Sequence, residues 1–407
     1  SLDERSAGFH ALGISTASAN NVVVITTSGT AVANLLPSAV EADRSCINIL
    51  YITADRPLRL KDCGANQTVN QEEFLLSACN LFLNTNLNGL HQTSYSEIKN
   101  LISLISKENL IKPGPIQLNI PFEKPLLISN KDRKEVLEIF DKECLNKKIG
   151  FSSNKIKNKS CKALDKIIKQ ISLDRTGLII VGPYRGSTND LLEFNKSLEI
   201  IQKLTGWPVF ADPVSGINSS LRGLVDHWEI IISRSKISLN FDQLLRIGPM
   251  SSSNVLEEFL VSFDGPHFLI KEKDSRDLDP VKKAIEYQFG LNKFVNQLLD
   301  KKDITQITNK TLMPITNELI DNGKRIKKLI KKYVLINDHI TELSIANLVP
   351  EIWPKNNPIM ISASSPIRDW LTFSGKEVFS RRCFSFRGAS GIDGTLSIAL
   401  GIALIKD

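Results

Sequence analysis

Val22-Val23-Val24-Ile25 runs into Thr26-Thr27-Ser28-Gly29-Thr30, then a small apolar stretch to Ala42, then Ile47-Asn48-Ile49-Leu50-Tyr51-Ile52 and Thr53-Ala54-Asp55-Arg56-Pro57. Four consecutive β-branched residues are too few for a helix and read as a strand buried on both faces. The polar turn closes on Gly29, and residues 31 to 42 predict a helix. Residues 47 to 52 predict a second buried strand, and the small apolar residues 6 to 18 a preceding helix. Helix, strand, turn, helix and strand in alternation predict an α/β fold with a parallel sheet covered on both faces. In such folds ligands bind in the loops after strand ends.

Outward from this stretch, the same unit continues to Gly114-Pro115-Ile116-Gln117-Leu118-Asn119-Ile120-Pro121, a strand with prolines at its ends, as edge or terminal positions require. A lysine- and asparagine-rich connection follows. A second alternation contains Gly177-Leu178-Ile179-Ile180-Val181-Gly182-Pro183, a helix over 189 to 204, Pro208-Val209-Phe210-Ala211-Asp212 and Leu244-Leu245-Arg246-Ile247-Gly248. A third has the strand candidate Pro358-Ile359-Met360-Ile361-Ser362. The expected organisation is a first unit over 1–129, a linker over 130–160, a central Rossmann-like unit over 161–325 and a third unit over 326–407. Three domains suit a chain of 407 residues.

Composition narrows the function. With 51 Lys+Arg against 44 Asp+Glu the net charge is +7, but eight lysines fall between 147 and 169 and a second run between 324 and 332. The excess marks connections rather than a recognition face, so nucleic acid is not an expected partner. The six cysteines show no CxxC pair and no metal-type spacing with the five histidines. No apolar run approaches the length of a membrane span and no signal peptide opens the chain, so a cytoplasmic protein is expected.

No GxxxxGK[ST], HExxH, GxSxG or kinase motif occurs. What remains are polar residues in loops. Glu4, in Asp3-Glu4-Arg5, fits either a capping box with Ser1 or a carboxylate that exchanges a proton with a cofactor nitrogen. Arg56 offers a planar fork for a carboxylate, or a surface ion pair with Asp55 or Asp62. Asn66 and Gln67 follow in Asp62-Cys63-Gly64-Ala65-Asn66-Gln67-Thr68, where turn hydrogen bonds also explain them. Ser364-Ser365-Pro366-Ile367-Arg368 follows a strand. Arg387-Gly388-Ala389-Ser390-Gly391-Ile392-Asp393-Gly394-Thr395 precedes an apolar helix over 396 to 405, and its glycines allow amides to approach an anion or a flat ring.

DERSAGFHALG (3 to 13), TTSGTAVANLLPSAVEADRS (26 to 45), ITADRP with DCGANQT (52 to 68), GPIQLNIPFEKPL (114 to 126), and SPIRDW with RGASGIDGT (365 to 395) stand in one order along the chain. Together they resemble the thiamine-diphosphate-dependent 2-succinyl-5-enolpyruvyl-6-hydroxy-3-cyclohexene-1-carboxylate synthases of menaquinone and phylloquinone biosynthesis. The resemblance implies a pyrimidine-binding unit, a central Rossmann-like unit and an incomplete pyrophosphate-binding unit, in a homo-oligomer whose active site lies at the subunit interface. It implies decarboxylation of 2-oxoglutarate and addition of the succinyl carbanion equivalent to isochorismate. Another thiamine-dependent decarboxylase or acetolactate-type carboligase, or a non-catalytic Rossmann-like binding protein, is the alternative.

By the same resemblance Glu4 hydrogen-bonds the cofactor's aminopyrimidine, and Ser390 and Ile392 contact the cofactor, Ile392 as the wedge that bends it. Arg56, Asn66 and Gln67 of the first unit and Ser364, Arg368 and Arg387 of the third hold the substrates. Relatives carry a lysine after the IGPM turn (247 to 250), where this sequence has Asn254. The family's GD…N motif, which holds Mg²⁺ or Mn²⁺ and the diphosphate, does not occur up to Asp407. Metal ligands are therefore expected beyond it, and the 407 residues alone are expected to be inactive.

Overall fold

The computed structural model describes all residues except 19, 128, 132, 135–136, 139–161, 235–238, 273, 275, 335–338, 356 and 406–407. The linker expected over 130–160 falls mostly outside the described residues. In the first unit, helix α1 (Glu4–Ser18) leads into β1 (Val22–Thr26). Then come α2 (Thr30–Ala33), α3 (Leu36–Ser45), β2 (Ile49–Asp55), α4 (Gln71–Phe74), β3 (Leu81–Asn84), α5 (Tyr95–Ile111) and β4 (Pro115–Pro121). The four strands are parallel in the order β1-β2-β4-β3.

Two expectations change here, for the helix over 31 to 42 and for the covering of the sheet, and one holds. The helix over 31 to 42 is broken, because Pro37 has no N–H for a carbonyl one turn back and is tolerated only in a first turn. The chain turns at Asn34 and Leu35 and restarts as α3. The proline-bounded strand β4 is interior and keeps its prolines at its two ends, the terminal positions expected of them. The sheet is not closed on both faces, since Val23 and Ile25 of β1 are exposed while Val24 and Thr26 are buried.

In the central unit α6 (Lys162–Gln170) precedes β5 (Gly177–Val181), α7 (Leu191–Thr205), β6 (Val209–Ala211), α8 (Trp228–Arg234), β7 (Gln243–Ile247), α9 (Asn254–Ser262), β8 (His267–Ile270), β9 (Ile285–Tyr287) and α10 (Leu291–Lys301). Five parallel strands run β6-β5-β7-β8-β9. Every residue of β5, β6, β7 and β8 is buried, the polar Gln243, Arg246 and His267 included, as strands between two helical layers require. Helix α11 (Pro314–Val334) passes straight through the expected boundary at 325 and 326, and its Leu319 belongs to the central core.

The third unit holds α12 (Glu342–Ile352), β10 (Ile359–Ile361), α13 (Ser365–Phe373), β11 (Cys383–Ser385) and α14 (Thr395–Ala403), with β10 and β11 paired in parallel. It shares one hydrophobic core with the first unit: Phe9, Leu12, Leu35 and Tyr51 pack in the same cluster as Phe384, Phe386, Ile398 and Ile402. At the centre α1 crosses α14 backbone to backbone. A Cβ on Gly13 would strike the Ile398 carbonyl, and one on Gly401 the His10 carbonyl.

Candidate functional site

Both sheets present their candidate residues at their carboxyl edges, where parallel α/β sheets bind ligands. At the end of β2 a buried polar network fixes the chain. Asp55 accepts the Arg56 backbone N–H at 2.7 Å on Oδ1 and, on Oδ2, Lys61 Nζ at 2.7 Å and Asn119 Nδ2 at 2.8 Å. Asn119 Oδ1 in turn accepts Thr53 Oγ1 and Gln71 Nε2, and Gln71 Oε1 accepts the Gly29 N–H at 2.8 Å. Burial works to depress the Lys61 ammonium, but its bonds to Asp55 and Glu72 outweigh that and hold it above its ordinary value.

Lys61 thus takes the carboxylate that could have paired with Arg56. The Arg56 guanidinium reaches only Gln67 Oε1, at 3.4 Å, and its Nε is buried with no hydrogen-bond partner among the described residues. A half-buried guanidinium with an unused, buried Nε donor suits an anionic ligand. Gln67 and Asn66 are exposed on the same loop, Gln67 at φ +57°; the Asn66 carbonyl accepts the Thr68 hydroxyl at 3.4 Å.

Glu4 is not part of a capping box. The cap of α1 is Asp3, whose Oδ1 accepts the Ser6 N–H at 2.8 Å, while Ser1 bonds only to Asp3. Glu4 occupies the first helical position, half-buried, and its carboxylate has no partner among the described residues. The next residue, Arg5, lies 3.9 Å from Asp393 of the GIDG turn.

In the third unit, Ser364 and Arg368 leave β10 and Arg387 leaves β11, so all three stand at one edge of the paired strands. Ser364 is at φ +71°, and Arg368 Nη2 lies 3.4 Å from Ser365 Oγ. Arg387 reaches the Met250 carbonyl of the IGPM turn at 3.5 Å, and its Nε is buried without a partner among the described residues. Asn254 stands exposed at the start of α9.

One expectation about the 387 to 395 loop is corrected. The amides of Gly388, Ala389 and Ser390 are not open to an anion, because the Glu41 carboxylate of α3 already accepts them. What the loop leaves open is its tip, where Ile392 is 66% exposed.

The three units meet around a cavity of about 80 Å³ bordered by Glu41, Tyr184, Arg185, Arg382 and Arg387. Cofactor pockets run to roughly 300–1,000 Å³, so this partly open space is by itself too small for thiamine diphosphate. Sequence reasoning passed over Glu41, one of two acids in the short helix Leu36–Ser45, with nothing local to set it apart from Asp43. It also passed over the central unit's buried Arg246–Asp279 pair, 3.1 Å apart, and His267, which burial and then Arg246 push down to about 4.

Residues 1–74 match the family model described as "Thiamine pyrophosphate enzyme, N-terminal TPP binding domain". That match, on a chain whose first unit is a parallel α/β sheet, and the relatives that follow place the chain among the thiamine-diphosphate enzymes. It is 59% identical, over 407 residues, to the 2-succinyl-5-enolpyruvyl-6-hydroxy-3-cyclohexene-1-carboxylate synthase of Prochlorococcus marinus (strain MIT 9215), covering 100% of this chain and 69% of that relative. The synthase of strain MIT 9312 is 58% identical over the same shares. That of strain NATL2A is 43% identical over 413 residues, 100% of this chain and 68% of the relative. The chain belongs to the family of 2-succinyl-5-enolpyruvyl-6-hydroxy-3-cyclohexene-1-carboxylate synthases.

Proposed function

We infer that Glu4 is the acid that holds and moves a proton at the aminopyrimidine ring of thiamine diphosphate. The reaction it serves is the family's decarboxylation of 2-oxoglutarate and addition of the four-carbon remainder to isochorismate, for menaquinone or phylloquinone biosynthesis. The observation that carries this reading is that Asp3 caps α1 and leaves the Glu4 carboxylate without a partner among the described residues. The bound cofactor supplies an electron sink, and the protein supplies position and charge.

Arg56, with Asn66 and Gln67 beside it, and Arg387, with Ser364 and Arg368 on the same sheet edge, hold the substrate carboxylates. The unused buried Nε donors of Arg56 and Arg387 support this. The exposed Ile392 and Ser390 face the cofactor, Ile392 giving an apolar surface for its rings. A divalent cation, Mg²⁺ or Mn²⁺, accompanies the diphosphate in this reading. Among the described residues no three His, Cys, Asp or Glu side chains converge to hold one, so no residue here is given that task.

The working form we propose is a homo-oligomer with the site at the subunit contact, supported by Leu396, Leu400 and Leu404, which continue outward from Ile392 along one exposed face of α14. No helix among the described residues is long and apolar enough to cross a membrane. Cys46, Cys63, Cys79 and Cys383 are free thiols, which suits a reducing, cytoplasmic setting.

The test is Glu4→Gln in the full-length enzyme. Loss of general acid–base help lowers kcat by about 10²- to 10⁴-fold, with the melting profile and circular dichroism unchanged. Turnover near the wild-type rate would remove Glu4 from this role.

A further inference from the structure

We propose that Glu41 is a positioning residue for the reaction: from the first unit it holds the backbone of the third unit's 387–390 loop and so sets where Arg387 and Ile392 stand. The proposal rests on the reading of those two residues given above.

The Glu41 side chain sits on α3 in the core shared by the two units and is only 4% exposed. A carboxylate so deeply buried is strongly disfavoured unless its oxygens are satisfied. Four donors satisfy it. Oε1 accepts the Ser45 hydroxyl and the Gly388 N–H, both at 2.8 Å. Oε2 accepts the Ala389 N–H at 2.8 Å and the Ser390 N–H at 3.2 Å. Three of the four come from consecutive amides more than three hundred residues away in sequence, so one side chain ties the two units together through main chain alone.

The order of residues along the loop turns this anchor into a positioning device. Arg387 directly precedes the three held amides, and Ile392 follows them by two residues. Ser390 is bent to φ +58°, a conformation a non-glycine residue adopts only when its surroundings impose it. Gly388 lies so close to α3 that an added Cβ would stand 2.5 Å from Ser45 Oγ, 2.7 Å from Glu41 Oε1 and 2.8 Å from the Arg44 carbonyl carbon. On the other side Arg185 of the central unit donates to the Arg387 carbonyl. The arginine's backbone is therefore clamped from two units, with Glu41 supplying most of the hydrogen bonds.

No other residue type does the same work. Aspartate is one methylene too short to reach the loop amides. Glutamine turns one of the two acceptor oxygens into a donor that faces donors, which leaves at least one amide without an acceptor.

The experiment compares Glu41→Gln, Gly388→Ala and Arg387→Ala in the full-length enzyme by KM for each substrate, kcat, melting midpoint and hydrogen exchange of residues 386 to 395. Arg387→Ala identifies the substrate this arginine holds through a raised KM. Glu41→Gln is expected to raise KM for the same substrate by about tenfold, the equivalent of some 1.4 kcal/mol. Exchange at 388 to 390 is expected to quicken while β2 stays protected. If Arg387→Ala raises that KM and Glu41→Gln does not, Glu41 merely joins the units and the proposal falls while the reading of Arg387 stands. If Arg387→Ala itself leaves both KM values unchanged, the reading falls and takes the proposal with it. Should Glu41→Gln fail to fold, Gly388→Ala carries the test, because it lifts the loop while keeping the carboxylate. A KM unchanged in that folded variant overturns the proposal.

Discussion

Ser364 holds a conformation that costs it energy. At φ +71° and ψ −128° a side chain is crowded by its own backbone, and such residues persist where surrounding structure imposes them, at of order 1–3 kcal/mol each. Its hydroxyl caps nothing in α13, so local helix chemistry does not explain the residue type. Ser364→Gly is expected to stabilise the protein by about 1 kcal/mol through relief of that strain. On the substrate reading proposed for Ser364, the same change should also raise KM, because the hydroxyl is lost. A higher melting midpoint with weaker substrate binding is the expected pair, and a lower midpoint would show that Ser364 is not strained. Neither this conformation nor the duty of Glu41 was legible in the sequence. A backbone angle leaves no compositional mark on a serine, and a carboxylate's partners three hundred residues away are set only when two units meet. Glu4 was half legible: its spacing from Ser1 suggested a cap, and Asp3 takes that role because it alone stands directly before the first helical residue.

Among the elements, the crossing of α1 and α14 sets where Glu4 begins. Two glycines, one on each helix, remove the side chains that would otherwise hold the axes apart, and each backbone rests against the carbonyl of the other helix. In an isolated helix alanine would be favoured over glycine by roughly 1 kcal/mol. At Gly13 that gain is outweighed, because the obstacle is backbone and cannot rotate away. Gly13→Ala is expected to destabilise the protein by about 1–3 kcal/mol, the usual cost of overpacking. It should also lower kcat at temperatures where the protein stays folded, since α1 carries Glu4. An unchanged melting midpoint and rate would mean that the crossing yields at no cost. The buried strands were legible because apolar runs bounded by glycine and proline have few other readings. The break at Pro37 was legible in principle too, from the residue's missing donor, and the shift of β2 to Ile49–Asp55 was not, since its polar end is buried only by the Asn119 network.

At the scale of the whole molecule, the three-unit plan followed from alternation of strand and helix, whereas the shared core of the first and third units depends on contacts no local pattern encodes. That shared core buries Ile398 and Ile402 of α14 and turns Leu396, Leu400 and Leu404 outward, in line with Ile392. An apolar stripe on an outer face marks a surface meant to be covered. The same-chain link between Arg5 and Asp393, 3.9 Å long and between exposed groups, is worth little against such a stripe. The homo-oligomer proposed above would take Glu4 from one copy and Arg387 with Ile392 from a second, and that arrangement can be tested by mixing two impaired chains. Full-length Glu4→Gln and Arg387→Ala variants, each impaired alone and assayed at a substrate concentration below the raised KM of the second, are co-expressed with different tags and the mixed species isolated. In a mixed dimer one site then receives both intact residues and the other neither. An unsorted mixture, half of it mixed dimers, recovers about one quarter of wild-type activity from that symmetry alone. If both residues of each site came from the same chain, no mixed dimer would hold an intact site, and the absence of recovery would overturn the shared arrangement.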